Sequence, residues 1–401
     1  MTRRLSLWSL FWIFFRIACT SFGGFMALIS VVENVIVERK KLMKHHDMLD
    51  GISLASILPG PVAVNLVVYV GYRLRGGLGA LVSAVAAILP AFVFIVVLAY
   101  AYFRWGDIPA VSRLFLGFIP AVVAVIVAAA WNMSRKSIPG WREAALAAVA
   151  AGVLLGVGGF FSTVGIIVGA GVVGWLWFRH DLPAPVKGAP AGARKKRKRK
   201  DKSFKRRLDV RALFLAGAPF TAVPVWQLDP GILLKLFLVF AGMSVMLFGG
   251  GYVFIPIIQE IVVGGHRWVT QKEFIDGVAM SQVTPGPIMV SAAFIGYKVG
   301  GVAGALAATV GIFTPPALVM LASARVLERI KRSAAIKAAL RGVRPAVIGM
   351  IFAAAVVVGK TAAPVWLSGA IFAAALFALL RLRLEAVWII PTAGLLGLLL
   401  Y

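Results

Sequence analysis

Pro59-Gly60-Pro61 lies inside an apolar run and returns as Pro285-Gly286-Pro287 inside another. Proline removes a backbone donor and glycine loosens the chain, so each triplet interrupts a stretch that would otherwise be a membrane helix. Backbone N–H and C=O groups freed at membrane depth are tolerated only where protein or a water-filled cavity surrounds them. Both triplets therefore predict a lined cavity.

The two copies belong to a duplication of the whole chain. Phe22-Gly23-Gly24 recurs as Phe248-Gly249-Gly250 and Asp50-Gly51 as Asp276-Gly277, at the same offset of 226 as the triplets. Gly71-Tyr72 then matches Gly296-Tyr297, Gly79-Ala80 matches Gly304-Ala305, Pro90 matches Pro315, and Pro120-Ala121-Val122 matches Pro345-Ala346-Val347, all at 225. One residue is lost between. So many ordered Gly, Pro and Asp matches identify a repeat rather than chance alignment of small residues.

Composition sets the class. The chain is 61% hydrophobic and only 14% charged, far outside the range of soluble domains. Uncharged runs such as 77–103, 114–134 and 299–324 reach the roughly 20 residues a spanning helix needs. No stretch alternates like a lipid-facing barrel strand, so the expected fold is an all-α polytopic membrane protein. The apolar run after Met1–Ser6 has no small-residue cleavage site and reads as a retained first helix. A net charge of +27 suggests nucleic acid until its placement is seen: twelve Lys and Arg lie between Arg194 and Arg211. That segment reads as a cytoplasmic linker held inside by its charge, with anionic lipid headgroups as its neighbours and no nucleic-acid partner. Cys19 stands alone and says nothing of compartment.

The expected organisation is a first repeat over 1–179, a basic cytoplasmic linker over 180–209, an extra span over 210–228, and a second repeat over 229–401. In the first repeat, residues 7–36 read as two half-helices around Ser21-Phe22-Gly23-Gly24, and 51–73 as a helix broken at its Pro-Gly-Pro. Spans near 77–103, 114–134, 142–157 and 160–178 follow. The second repeat has broken elements at 232–262 and 274–297, then spans near 299–325, 343–359, 364–380 and 385–401. The basic stretch from Arg325 to Arg344 is expected as an inside loop, whereas its counterpart from Arg104 to Arg113 falls outside. The halves are thus expected to be inverted, with discontinuous helices, re-entrant or broken.

Inverted repeats with interrupted helices are the architecture of secondary transporters, and half-helix N-termini favour an anion. No enzyme motif competes: there is no GxxxxGK[ST], no G-x-S-x-G, and the four His lie in polar loops. The chain is read as no enzyme, with no cofactor and no metal.

Phe22-Gly23-Gly24, the block from Asp50 to Pro61, and Trp268-Val269-Thr270-Gln271-Lys272-Glu273-Phe274-Ile275-Asp276-Gly277 leading to Pro285-Gly286-Pro287 resemble the chromate ion transporter family, in its long form that holds both halves. The resemblance implies a multi-pass carrier of the prokaryotic inner membrane that exports chromate, with sulfate as the isosteric dianion. An anion channel, or a carrier of sulfate or another small anion, is the alternative, and a homodimer is a possible assembly.

Candidate substrate contacts are the residues at and beside the breaks: Ser21, Phe22, Gly23, Gly24, Pro59, Gly60, Pro61 and Asn65 in the first half. In the second they are Phe248, Gly249, Gly250, Gly251, Gln282, Thr284, Pro285, Gly286 and Pro287, with Ser56, Ser281 and Ser291 as further hydrogen-bonders. Arg16, a charge inside the first apolar run, is a candidate countercharge for a dianion. Asp50 and Asp276 match across the repeat and are expected as helix N-caps. Their rival role is proton coupling, shared with Glu33 and Glu260.

Overall fold

The computed structural model describes residues 5–21, 24–106, 108–157, 160–179, 229–247, 254–325, 333–360, 366–382 and 384–400. Their regular structure is helical throughout. In the first half α1 is Leu7–Thr20, α2 Gly24–Glu33, α3 His45–Ile57, α4 Val62–Trp105, α5 Pro109–Ser137, α6 Trp141–Gly156 and α7 Phe160–Phe178. In the second, α8 is Pro230–Val245, α9 Phe254–Gln259, α10 Gln271–Val283, α11 Ser291–Arg325, α12 Ala334–Gly359, α13 Trp366–Phe377 and α14 Ala386–Leu400. Four apolar helices are long enough to cross a membrane, Val62–Trp105, Arg113–Arg135, Ile288–Ala324 and Ala335–Gly359, and shorter apolar helices flank them. This is a multi-pass, all-helical membrane protein.

Local chemistry sets the helix starts. Ser6 accepts from the Ser9 N–H to open α1, and Asp229 accepts from the Gly231 N–H with Pro230 in the first turn of α8. Thr270 and Glu273 form a reciprocal capping box at α10. These caps correct one expectation. Asp50 and Asp276 are not N-caps: α3 opens at His45 after Lys44, and α10 opens at Gln271 after Thr270, so both acids lie mid-helix.

A second correction concerns the basic stretch ending at Arg344. Ser333 caps α12, which starts at Ala334, so Lys337, Arg341 and Arg344 are helical rather than in a loop. Alanines at 334, 335, 338 and 339 favour helix strongly enough to carry it through the charges. Arg341 also gains partners there, donating to Glu143 at 2.9 Å and lying 4.4 Å from the centre of the Phe178 ring.

α4 and α11 each fold back on themselves. Arg75 and Gly76 leave helical geometry at φ −146 and +67, and Gly300 and Gly301 do the same at φ −144 and +59. A straight helix would hold Gly71 and Ser83 about 18 Å apart. Instead, a Cβ on Gly71 would lie 2.5 Å from both the Gly79 carbonyl oxygen and Ser83 Oγ. Likewise, one on Gly296 would meet the Gly304 carbonyl oxygen at 2.3 Å and the Ala308 Cβ at 2.8 Å. Two small residues let the arms touch backbone to backbone.

The equivalences extend along the chain. Lys41 and Arg267, the two non-glycine residues with positive φ among the described residues, stand 226 apart. Packing follows the same rule: α1 lies on α4 as α8 lies on α11, and α5 packs on α13 and α14 as α12 packs on α6 and α7. Each half thus supplies a helix that the other half wraps. Gly117 against Ala393 and Gly342 against Ala170 are the close approaches that make this interlock tight.

Gly296→Leu forces a side chain into the Gly304 backbone and is expected to destabilise the protein by about 3 kcal/mol or more. Gly169→Leu, where a Cβ meets nothing within 4 Å, is expected to be neutral. Detergent size-exclusion of tagged variants checks both: loss of the monodisperse peak for the first alone.

Candidate functional site

Each Pro-Gly-Pro is the tip of a helical hairpin. The α3 arm closes on the start of α4 because Gly51 leaves room for Tyr69, where a Cβ would fall 2.4 Å from the ring. Gly277 does the same for Phe294 at 2.5 Å in the second half. At the tips Gly60 has φ +98 and Gly286 φ +147, which L side chains rarely adopt. Each tip is seated against the other half. A Cβ on Gly60 would meet Pro316 at 2.3 Å, and one on Gly286 would meet Ala91 at 2.7 Å. Pro316 and Ala91 are themselves equivalent positions, 225 apart.

The polar groups freed by the prolines find specific partners. The Gly60 N–H donates to the Leu247 carbonyl at 2.6 Å, tying the first tip to the segment that precedes Phe248. The Asn65 amide donates to the Pro59 carbonyl at 2.9 Å. The helix turn behind each tip is less well satisfied. α4 starts at Val62 and a short 3₁₀ turn starts at Ile288, neither with a side-chain cap among the described residues. Residues 62–64 and 288–290 are buried. The first N–H groups of a helix have no partner within it, so the first tip presents buried, uncapped donors at the positive end of α4, and the second presents the N–H groups of Ile288 and Met289, Val290 donating to Pro287.

Side chains add to this at the second tip. Gln282 Nε2 and Ser291 Oγ are buried without a hydrogen-bond partner among the described residues, one on each side of Pro285-Gly286-Pro287; Asn65 Oδ1 is likewise unpartnered near the first. Ser56, Ser281 and Thr284 are instead occupied by carbonyls of their own segments, at Ile52, Val278 and Ser281. Ser21 is buried and donates to Ile17 at 2.6 Å where α1 ends, and Gly24 opens α2. Phe22, Gly23, Phe248, Gly249, Gly250 and Gly251 lie outside the described residues. Arg16 sits on the exposed face of α1, opposite Phe14 and Ala18 in the core, and is brought to neither tip.

The acidic candidates separate clearly. Glu33 pairs with His45 at 3.1 Å, and the equivalent contact in the second half is neutral, Gln259 to Gln271 at 3.1 Å. Asp50 faces His46 at 3.5 Å and is one-fifth exposed. Glu260 is half-buried in the π-type turn beside Gly264. Asp276 is fully buried and accepts from the Tyr102 hydroxyl at 2.7 Å. Pattern reading missed Tyr102, which stands 174 residues away in α4; one Tyr among many apolar residues carries no local signal. It also missed that Arg73 with Asp47, at 3.3 Å, and Lys298 with Glu273, at 2.9 Å, bind the arms of the two hairpins at equivalent places.

A separate groove of about 630 Å³ lies between α5, α6, α12 and α13, lined by Val123, Leu155, Phe352 and Phe372 with Ser368 its one hydroxyl. A lining this apolar gives a charged group no compensation for lost water.

Residues 8–175 and 234–398 each match the family described as chromate transporter. The chain belongs to the chromate transporter family. It is 30% identical over 393 residues to a chromate transport protein of Cupriavidus metallidurans, covering 97% of this chain and 92% of that one. A probable chromate transport protein of Synechococcus elongatus is 28% identical over 352 residues, 86% of this chain and 83% of its own. An uncharacterized transporter of Bacillus subtilis is 32% identical over 121 residues, which is 68% of that protein but 30% of this one. No solved structure matches the chain.

Asn65→Ala leaves the buried Pro59 carbonyl without its donor and is expected to cost about 1–3 kcal/mol. Thermal unfolding in detergent checks this; an unchanged midpoint would mean that the amide does not hold the tip.

Proposed function

We propose that this membrane protein is a secondary carrier that exports a tetrahedral oxyanion, chromate, across the inner membrane by alternating access. The observation that carries the reading is the pair of buried, uncapped helix starts behind the Pro-Gly-Pro tips, with unpartnered donors Gln282 Nε2 and Ser291 Oγ beside the second. Buried donors without acceptors are costly, and an oxyanion brought between them supplies several acceptors at once. Membership of the chromate transporter family supports the same substrate class.

In this reading the two halves are inverted repeats, and the hairpins 45–75 and 271–300 are re-entrant elements whose tips face the anion. The folds at Gly76 and Gly301 let each hairpin rock against its own returning arm, while the contacts of Gly60 with Pro316 and Gly286 with Ala91 keep the two tips in step. Residues 180–209 are a cytoplasmic linker near anionic headgroups, and 210–228 is the extra crossing that inversion requires. The inside-negative potential favours exit of a dianion by about 4.6 kcal/mol per 100 mV, at roughly 2.3 per charge.

Radiolabelled chromate uptake by everted membrane vesicles tests this, with sulfate, molybdate and phosphate as competitors. Saturable uptake blocked by sulfate is expected, and Gln282→Ala combined with Ser291→Ala is expected to weaken apparent affinity about tenfold or more at normal expression. Unsaturable uptake would make the protein a channel; no uptake would remove chromate as substrate.

A further inference from the structure

Of the four acids that could couple transport to protons, one is enclosed. Asp276 lies mid-way along α10, the helix that runs into the second Pro-Gly-Pro tip, and none of its surface is exposed. Its Oδ2 accepts from Tyr102 at 2.7 Å, and its Oδ1 has no partner among the described residues. A buried carboxyl held by one neutral hydroxyl cannot keep its charge by ion pairing. Lys272, one turn back on the same helix, is exposed but its charge still acts on the Asp276 carboxyl, and Glu273 is bound to Lys298 of α11. Of the other elements packed on α10, α4 brings Arg104 and α5 brings Arg113, both exposed, and α9, α14 and the turn 288–290 bring no charge.

The bond joins two bodies. Asp276 belongs to the second hairpin, whereas Tyr102 is near the end of α4 in the first half. The Tyr102 ring is fixed by edge contacts with Phe103, Phe115 and Phe294 at 5.0–5.4 Å between centres, so its hydroxyl is a rigid anchor. Phe294 is also the residue against which Gly277, next to Asp276, is packed. The repeat is broken at this place. The equivalent acid, Asp50, is partly exposed beside His46, and the position equivalent to Tyr102 is Leu327.

We propose that the Asp276–Tyr102 pair is the proton-coupling site of the carrier, an assignment that rests on the oxyanion reading above. When Asp276 is ionised, the Tyr102 O–H donates a charge-assisted bond that locks the second hairpin to α4. When a proton from water adds to the carboxylate, that bond weakens and the new O–H needs an acceptor elsewhere, which frees the hairpin to rock. Proton release on the other side restores the lock, and the anion bound at the tips, not a second proton, releases it for the opposite crossing, so the carrier crosses one way with the proton and the other way with the anion. No electrons move, and one proton is taken up and released per cycle.

The test uses the full-length protein in proteoliposomes, with two readouts for labelled chromate: counterflow at equal pH, and the accumulation ratio under an imposed pH gradient at zero potential. The wild type is expected to show counterflow and about a tenfold change in accumulation ratio per pH unit, the value for one coupled proton. Asp276→Asn is expected to keep counterflow but lose the pH-driven ratio. Tyr102→Phe is expected to shift the pH dependence, and Asp50→Asn to leave it in place. A pH-driven ratio retained in Asp276→Asn overturns the proposal, as does a wild-type ratio indifferent to pH while counterflow is present. If Asp276→Asn fails to fold, the wild-type ratio together with an unshifted Tyr102→Phe profile decides against it in the same way. Absence of wild-type counterflow would sink the oxyanion reading itself.

Discussion

A backbone amide that proline or glycine has freed inside a bilayer must find a partner in the protein, and this constraint organises the molecule. Each Pro-Gly-Pro tip releases donors and acceptors that lipid cannot satisfy. The Gly60 N–H is taken by Leu247 of the second half, which ties the first tip across the halves, and the Pro59 carbonyl is taken by Asn65 within its own hairpin. The helix starts behind the tips have no side-chain cap among the described residues. Close glycine contacts elsewhere, as between Gly71 and Gly79 or Gly117 and Ala393, bring the helices near enough for the tips to be enclosed. Packing in this protein therefore serves to wall off a polar spot.

Much of this was legible in the chain because glycine, proline and aspartate are tied to backbone conformation. The recurrence of Gly71 and Gly79 as Gly296 and Gly304 marked the places where arms touch, and the triplets marked the tips. Helix starts were less legible. Asp50 and Asp276 looked like caps since acids often precede helices, but Thr270 and Glu273 had already closed the end of α10. Arg341 and Arg344 looked like loop residues since charge usually lies outside the bilayer, yet Glu143 and Phe178 receive Arg341 on α12. Contacts between halves could not be read at all. Nothing local links Tyr102 to Asp276 or Pro316 to Gly60.

The near-symmetry of the halves makes their differences informative. Salt links at Arg73 and Lys298, reversed φ at Lys41 and Arg267, and folds at Gly76 and Gly301 are preserved, so they belong to the scaffold. The acids at 50 and 276 have diverged in burial and in partner. The contact of Glu33 with His45 has become the amide pair Gln259 and Gln271. These substitutions give each hairpin its own electrostatics while leaving the shared backbone intact.

The central claim is that the tips line an aqueous anion site rather than a sealed packing joint. It is tested most directly by placing a single cysteine at Ser291, with Cys19 replaced by serine, and measuring its rate of modification by a small charged thiol reagent in membranes. Sulfate, which does not oxidise thiols, serves as the protecting ion. The account predicts modification from the water phase that slows at least several-fold as sulfate is added. A cysteine that is unreactive from both sides, or one that reacts at the same rate with and without the anion, would contradict it.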